Sequence, residues 1–492
     1  MKKKKHFSDR LVRKIKEIAR QSLKKDNLNK TMSAIAYVSK YLYEYNQYYM
    51  DEDLEEFSRR IGQEIRKKEK NEIYLKEESS NVILVYDGFG LDIRGTIKVY
   101  LNGLGHNNYK VVYATNYDAK GKIPSVEALC NKFGFEIEYI RMNKYLEWVE
   151  QIYDIYEKYK PRAAFFYTTP WDVAGVVAFS MYEGIVDRYL IDLTDHAFWL
   201  GKSAFDYCLG SREMSATIEH YYRDIPKEKL VKLDVNLLID EDDDHTGLPF
   251  APEQTRYIFS GGSLYKTLGD EELLYYKIVD HILEKHKDIC FLYAGSGDDN
   301  EMKKLQHRYP GRAFLISERE DFYYLIQNSV FYLNTYPMFG GMMMRYAAMA
   351  KKIPITLRHN NDADGLLINQ ANSKIEYDDI KSLLEDVDKL LTDSVYLKKR
   401  EELLEGTVIT QERFTKNIKS IIEEHKSDEE HIFVDMDTSE FRQEYLTRFN
   451  CRKELISVSS RINSSLFLHF PIYFALRGMH SVYKRIRRII KK

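Results

Sequence analysis

Apolar residues along the chain fall into two textures. Short unbroken runs, such as Val82-Ile83-Leu84-Val85 and Phe331-Tyr332-Leu333, alternate with longer stretches in which apolar positions return every three or four residues. An unbroken run suits a strand buried on both faces, and the longer period suits an amphipathic helix. Two series of elements follow. The first begins with a strand at Asn81 and continues with strands over 110–115, 135–140, 163–168, 188–193 and 206–209, and helices over 95–104, 144–158, 172–181 and 212–222. The second has strands over 256–260, 290–294, 313–316, 330–334 and 353–357, and helices over 270–285, 300–307, 321–327, 342–350, 378–391 and 411–425. Strands alternating with helices at this spacing predict parallel sheets covered on both faces. The expectation is an α/β chain of two doubly wound, Rossmann-like domains, 79–248 and 249–426, separated by the acidic stretch 240–244 and the break at Pro249 and Pro252. Ligands of such sheets bind beyond the carboxyl ends of the strands, so a cleft between the domains is the expected site.

Two extensions flank this body. Residues 1–78 predict a helical extension whose first helix carries Phe7, Leu11, Ile15, Ile18 and Leu23 on one stripe, followed by a tyrosine-rich helix near 32–49 and a charged one near 53–70. Residues 427–492 leave the pattern and end in a helix from Pro471, with Ile472, Leu476, Met479, Tyr483, Ile486 and Ile490 on one face. Charge sharpens this picture. The net charge of −2 hides twelve Lys/Arg against three acids in residues 1–30, and seven Lys/Arg with no acid in 477–492. Basic amphipathic ends on an acidic body predict a peripheral, electrostatic contact with an anionic membrane. For the first helix, docking on the body is the competing expectation.

Composition sets outer limits. At 492 residues, 44% apolar and 30% charged, the chain reads as soluble and globular, with more than one core. No stretch approaches the ~18–20 apolar residues of a membrane span, and residues 1–5 lead into a charged helix rather than a signal core. A cytoplasmic protein, peripheral at the inner face of the membrane, is therefore expected. Cys130, Cys208, Cys290 and Cys451 lie far apart and suit neither a disulfide framework nor a zinc site.

The chemistry gathers at strand ends. Phe331–Leu333 leads into a turn with Asn334, Pro337, Gly340 and Gly341 and then a helix from Met342, and a helix N-terminus of this kind attracts phosphate. Ser260-Gly261-Gly262-Ser263 with Lys266, and Ala294-Gly295-Ser296-Gly297, end two further strands of the same series. Small residues let the backbone approach a ligand, and a lysine neutralises a diphosphate. In the first series Gly88 and Gly90, with Asp92 and Arg94 beyond, end the first strand. There is no P-loop, no G-x-S-x-G elbow and no H-E-x-x-H, and Gly88-x-Gly90 does not continue as a dinucleotide fingerprint.

In their order, SGGSLYK, FLYAGSGDD, FLISERED, FYLNTYPMFGG and YAAMAKKIPI resemble the nucleotide-binding half of GT-B glycosyltransferases. Ala348-Met349-Ala350 with Pro354 matches the signature of the large retaining group, and Asn334-Thr335-Tyr336-Pro337 with Gly340 is similar to a turn of protein O-GlcNAc transferases. That group's two glutamates fall here at Phe339 and Ala347. The segment 191–196, followed by Asp206-Tyr207 and Ser211, resembles the family's cleft segment.

The resemblance implies a GT-B fold in which two Rossmann-like domains face each other across a cleft. It implies transfer of a sugar from a UDP- or GDP-linked donor, with no resident cofactor or metal, to a glycan, lipid-linked or protein acceptor in bacterial surface-glycan assembly. Gly262, Ser263, Lys266, Gly295, Asn334, Gly340, Gly341 and Met342 would hold the donor. His196 would face the sugar, oriented by Asp195 or Asp192, and Gly88, Gly90, Asp92 and Arg94 would line the acceptor side. Nothing implies a nucleic-acid partner. A catalytically silent GT-B partner or chaperone subunit, a sugar-nucleotide epimerase and a nucleotide-binding scaffold are the alternatives.

Overall fold

The structure, a computed structural model, describes residues 2–68, 80–92, 95–239, 245, 247–359, 365–440, 442, 443, 445, 446, 475 and 479. The first sheet contains β1 (Val82–Asp87), β2 (Lys110–Asn116), β3 (Glu136–Ile140), β4 (Ala163–Tyr167), β5 (Asp187–Ile191), β6 (Tyr207–Gly210) and β7 (Leu230–Lys232). Its order is β3-β2-β1-β4-β5-β6-β7 and its ladders are parallel. The second sheet contains β8 (Tyr257–Gly261), β9 (Cys290–Ala294), β10 (Ala313–Ile316), β11 (Tyr332–Leu333), β12 (Pro354–Leu357) and β13 (Glu376–Tyr377). Its order, β10-β9-β8-β11-β12-β13, repeats that of the first. Strand order therefore reverses between β1 and β4 in one domain and between β8 and β11 in the other. Ligands of doubly wound sheets bind beside such a reversal.

Alternation along the central strands divides the core. Ile83, Val85, Phe165 and Tyr167 face a cluster that includes the helix Gly95–His106 and runs on into the second domain. Leu84, Tyr86, Ala164 and Phe166 face the other side, where they join three N-terminal helices. Those helices are α1 (Lys2–Lys24), α2 (Leu28–Tyr45) and α3 (Glu52–Lys68). Leu11, Ile15 and Ile18 of α1 are buried in this cluster. The apolar stripe expected as one option to meet a membrane thus lies inside, and α1 docks on the body. The expected C-terminal helix lies outside the described residues, apart from Ala475 and Met479. Among the described residues no helix is long and apolar enough to cross a membrane.

Among the described residues, the pattern does not predict the edge strands β7 and β13, the α-helices Pro124–Phe133 and Ser394–Glu402, or the short 3-10 turns. The helix Gln411–Glu424 follows the second sheet in sequence but packs on the first domain. Phe414 fills the space beside Gly103, Asn102 Nδ2 donates to Gln411 Oε1 at 2.7 Å, and Tyr189 donates its hydroxyl to the Ile421 carbonyl at 2.9 Å.

Candidate functional site

The second domain's switch region is built from the ends of β8, β9 and β11. After β11 the chain turns through 334–340 into the helix Gly341–Met349. Asn334 is buried and closes this turn: its Oδ1 accepts the Gly340 N–H at 3.2 Å, its Nδ2 reaches Thr356 Oγ1 at 3.3 Å, and its own N–H pairs with the Ile355 carbonyl. A Cβ on Gly340 would stand 2.9 Å from Asn334 Oδ1, so only glycine fits there without a shift. Asn334 is consequently engaged within the protein rather than presented to a donor. Among the described residues no side chain caps the helix, so its first N–H groups, from Gly341 and Met342, keep their capacity for an anion.

Lys266 is stitched to the same turn. Its carbonyl accepts the Met338 N–H at 3.1 Å and its Nζ donates to the Phe339 carbonyl at 3.3 Å. Ser263 begins the short Leu264–Thr267 helical turn that carries the lysine. Gly262 has φ +127° and open space on its Cβ side, with the nearest heavy atom the Lys266 Cδ at 4.0 Å. Gly295 differs: a Cβ there would lie 2.0 Å from the Gly262 carbonyl oxygen. Its smallness is needed for the packing of two loops against each other.

Across the seam, the loop after β5 carries Asp192, Asp195 and His196. Asp195 is 7% exposed; its Oδ1 pairs with His196 Nδ1 at 3.0 Å, and its Oδ2 takes both Nε, at 2.9 Å, and Nη2 of Arg212. Burial alone would raise this carboxyl, but the Arg212 charge and the His196 and Arg212 hydrogen bonds outweigh it and hold Asp195 well below the usual range. Asp192 goes the other way. Burial and the neighbouring Asp195 charge push it up to about 6, against a hydrogen bond from the Ser215 hydroxyl. Two carboxylates driven apart in this manner take different roles. Asp195 stays an anion beside His196 Nδ1, so it can accept a hydrogen bond from a proton-bearing Nδ1 and orient the ring.

The two groups meet at Phe339. The Arg212 guanidinium lies over its ring, 5.7 Å from the centroid, and the Lys266 ammonium holds its carbonyl. His196 and Lys266 are thus joined through Asp195, Arg212 and Phe339, from one domain to the other. Buried Arg345 fastens the seam nearby, donating to Ser211 Oγ and Asp234 Oδ1 at 3.2 and 3.1 Å and to the Leu366 carbonyl. Thr96 Oγ1 approaches Met342 Sδ at 3.6 Å. The sequence assigns no role to Arg212 or Arg345: Arg345 meets Ser211 and Asp234 more than a hundred residues away, and Arg212, although close in sequence to Asp195, meets Phe339 only across the domains.

The residues expected on the acceptor side are engaged locally. Asp87 accepts from the Phe89 and Gly90 N–H groups and from the Tyr113 hydroxyl. A Cβ on Gly88 would meet Asp172 Oδ2 at 2.6 Å, and one on Gly90, where φ is +58°, would meet Asn116 Nδ2 at 2.3 Å. Asp92 binds Ser125 N and Oγ and Val126 N, at the start of the helix Pro124–Phe133. Arg94 lies outside the described residues.

No protein-family model and no curated protein matches the chain. Solved structures do resemble it. A protein described as a UDP-N-acetylglucosamine 2-epimerase from Listeria monocytogenes matches 72% of this chain and 100% of its own at 11% identity, with a TM-score of 0.51. Another UDP-N-acetylglucosamine 2-epimerase structure covers 73% and 100% at 11% identity, with a TM-score of 0.50. An O-GlcNAc transferase mutant from Thermobaculum terrenum overlaps more loosely, at 14% identity over 85% of this chain and 78% of its own, with a TM-score of 0.48. The fold is GT-B: two Rossmann-like domains with repeated strand order, facing each other across a seam.

Proposed function

We propose that this chain is a GT-B glycosyltransferase that takes its sugar from a nucleoside-diphosphate donor. The observation that carries the reading is the turn 334–342, where an uncapped helix N-terminus at the second sheet's switch point is shared by Lys266 from its own domain and Arg212 from the other. The donor diphosphate would sit on Gly341 and Met342, beside Gly262, Ser263 and Lys266. His196 Nε2 would take the proton of the acceptor hydroxyl as that oxygen bonds to the anomeric carbon. The bond from that carbon to the diphosphate oxygen breaks, and its electron pair leaves on the nucleoside diphosphate, where Lys266 and the helix dipole stabilise it without a bound metal. The acceptor is a glycan, lipid-linked or protein substrate presented at the inner face of a membrane. Contact through α1 would be electrostatic, since its exposed residues include Arg13, Arg20 and Lys24 while its apolar stripe is buried.

One observation favours a second reading, a silent GT-B subunit. The Phe339 ring lies 3.0 Å from where a Gly341 Cβ would be, close to the helix N-terminus. Calorimetry of the full chain with UDP-, GDP- and CDP-linked sugars, followed by assay of nucleoside-diphosphate release, decides between the two. Binding with turnover is expected. Binding without turnover supports the silent subunit, and no binding by any donor overturns the site.

A further inference from the structure

We infer that the N-terminal helical layer belongs to the site, and that Asn46 is a positioning residue for His196. The inference rests on the reading of His196 given above. The segment 194–203 has no helix or strand, so its backbone groups need partners from elsewhere. Asn46 supplies two. It is 1% exposed and holds a left-handed conformation, φ 43°, at the end of α2. From there its Nδ2 donates to the His196 carbonyl at 3.1 Å and its Oδ1 accepts the Phe198 N–H at 3.0 Å. One side chain therefore reads the backbone on both sides of Ala197.

Further contacts point the same way. Buried Glu55 of α3 accepts the Gly201 N–H at 2.9 Å and the Ser203 N–H and hydroxyl at 3.4 Å each. Arg223 donates to the carbonyls of Thr194, Asp195 and Ala197, and also to that of Tyr49, between α2 and α3. Its guanidinium packs on the Trp199 ring, 4.5 Å from the centroid. The loop bearing His196 is thus clamped to the helical layer at several points along its length. An imidazole placed in this way keeps the direction of Nε2 fixed even though its own loop has no regular structure. The amide of Asn46 is suited to the task because the pair needs one donor and one acceptor. Aspartate would lose the donor and set a carboxylate against the His196 carbonyl.

The test is a double-mutant cycle on the full chain with UDP-, GDP- and CDP-linked sugars, read as nucleoside-diphosphate release and, separately, as donor affinity. Asn46→Ala should lower kcat by about tenfold to a hundredfold with donor affinity unchanged, as expected for misplacement of a reacting group. His196→Ala should lower it by about a hundredfold or more. The double variant should be no slower than His196→Ala alone, because Asn46 acts through that side chain. Wild-type kcat in Asn46→Ala, beside a defective His196→Ala, overturns the inference and leaves the proposed function standing. Full activity in His196→Ala, or no turnover by the wild type, overturns the reading beneath it. If Asn46→Ala does not fold, Asn46→Asp is used with amide hydrogen exchange. Faster exchange at 194–203 with α2 and α3 unchanged supports the clamp, and unchanged exchange overturns it.

Discussion

The two domains share one strand order, and their switch points differ in what their polar groups do. At the end of β1, Asp87, Gly88, Gly90 and Asp92 close on their own domain, each carboxylate accepting hydrogen bonds and each glycine fitted to a neighbour. At the ends of β8 and β11, Gly262 faces open space and, among the described residues, no side chain caps the helix N-terminus. Identical topology thus gives one sealed turn and one receptive turn. Glycines at a strand end are fitted to close neighbours in the first, while in the second Gly262 borders open space, and only the neighbours distinguish them.

The sealed side should break most dramatically. Asp87→Ala strands the buried Gly90 N–H and Tyr113 hydroxyl and the half-buried Phe89 N–H, and a loss of about 3 kcal/mol is expected in denaturant unfolding, with little change in donor affinity for the protein that remains folded. Asp192 sharpens the contrast through pH. Its carboxyl is raised to about 6 in the fold, so it favours the folded state below the ordinary carboxylate pKa and loses that contribution as pH rises through about 6. Asp192→Asn should therefore be more stable than wild type at pH 8, by on the order of 3 kcal/mol, with the difference vanishing near pH 4. On the receptive side, Lys266→Met should weaken donor binding by about tenfold to a hundredfold in calorimetry while the thermal midpoint stays close to wild type. Asn334→Ala sits between the two behaviours. It frees the Gly340 N–H and loosens the turn, for about 1 kcal/mol of stability and less than tenfold in donor affinity.

The strand and helix alternation was legible because strands covered on both faces must be apolar throughout, as β4 is from Ala163 to Tyr167. β7 and β13 escaped notice as short edge strands with lysine, glutamate and tyrosine among their few residues. Ser394–Glu402 escaped because it buries little besides Arg400 and so shows no apolar stripe. At the site, the Asp195–His196 pair lies between chain neighbours and could be suggested from sequence. Arg345 with Ser211, and Asn46 with His196, are joined by folding alone. Gly262 and Gly295 read alike in sequence, and nothing local reveals that one borders space while the other borders a carbonyl.

The return of the helix Gln411–Glu424 to the first domain means that the polypeptide passes between the halves twice. Cutting the chain after residue 248 would therefore not release two independent units, because the C-terminal fragment keeps a helix embedded in its partner through Phe414, Asn102–Gln411 and Tyr189–Ile421. Such a protein lends itself to fragment complementation. Residues 1–248 and 249–492, expressed as separate chains, should reassemble without a covalent link.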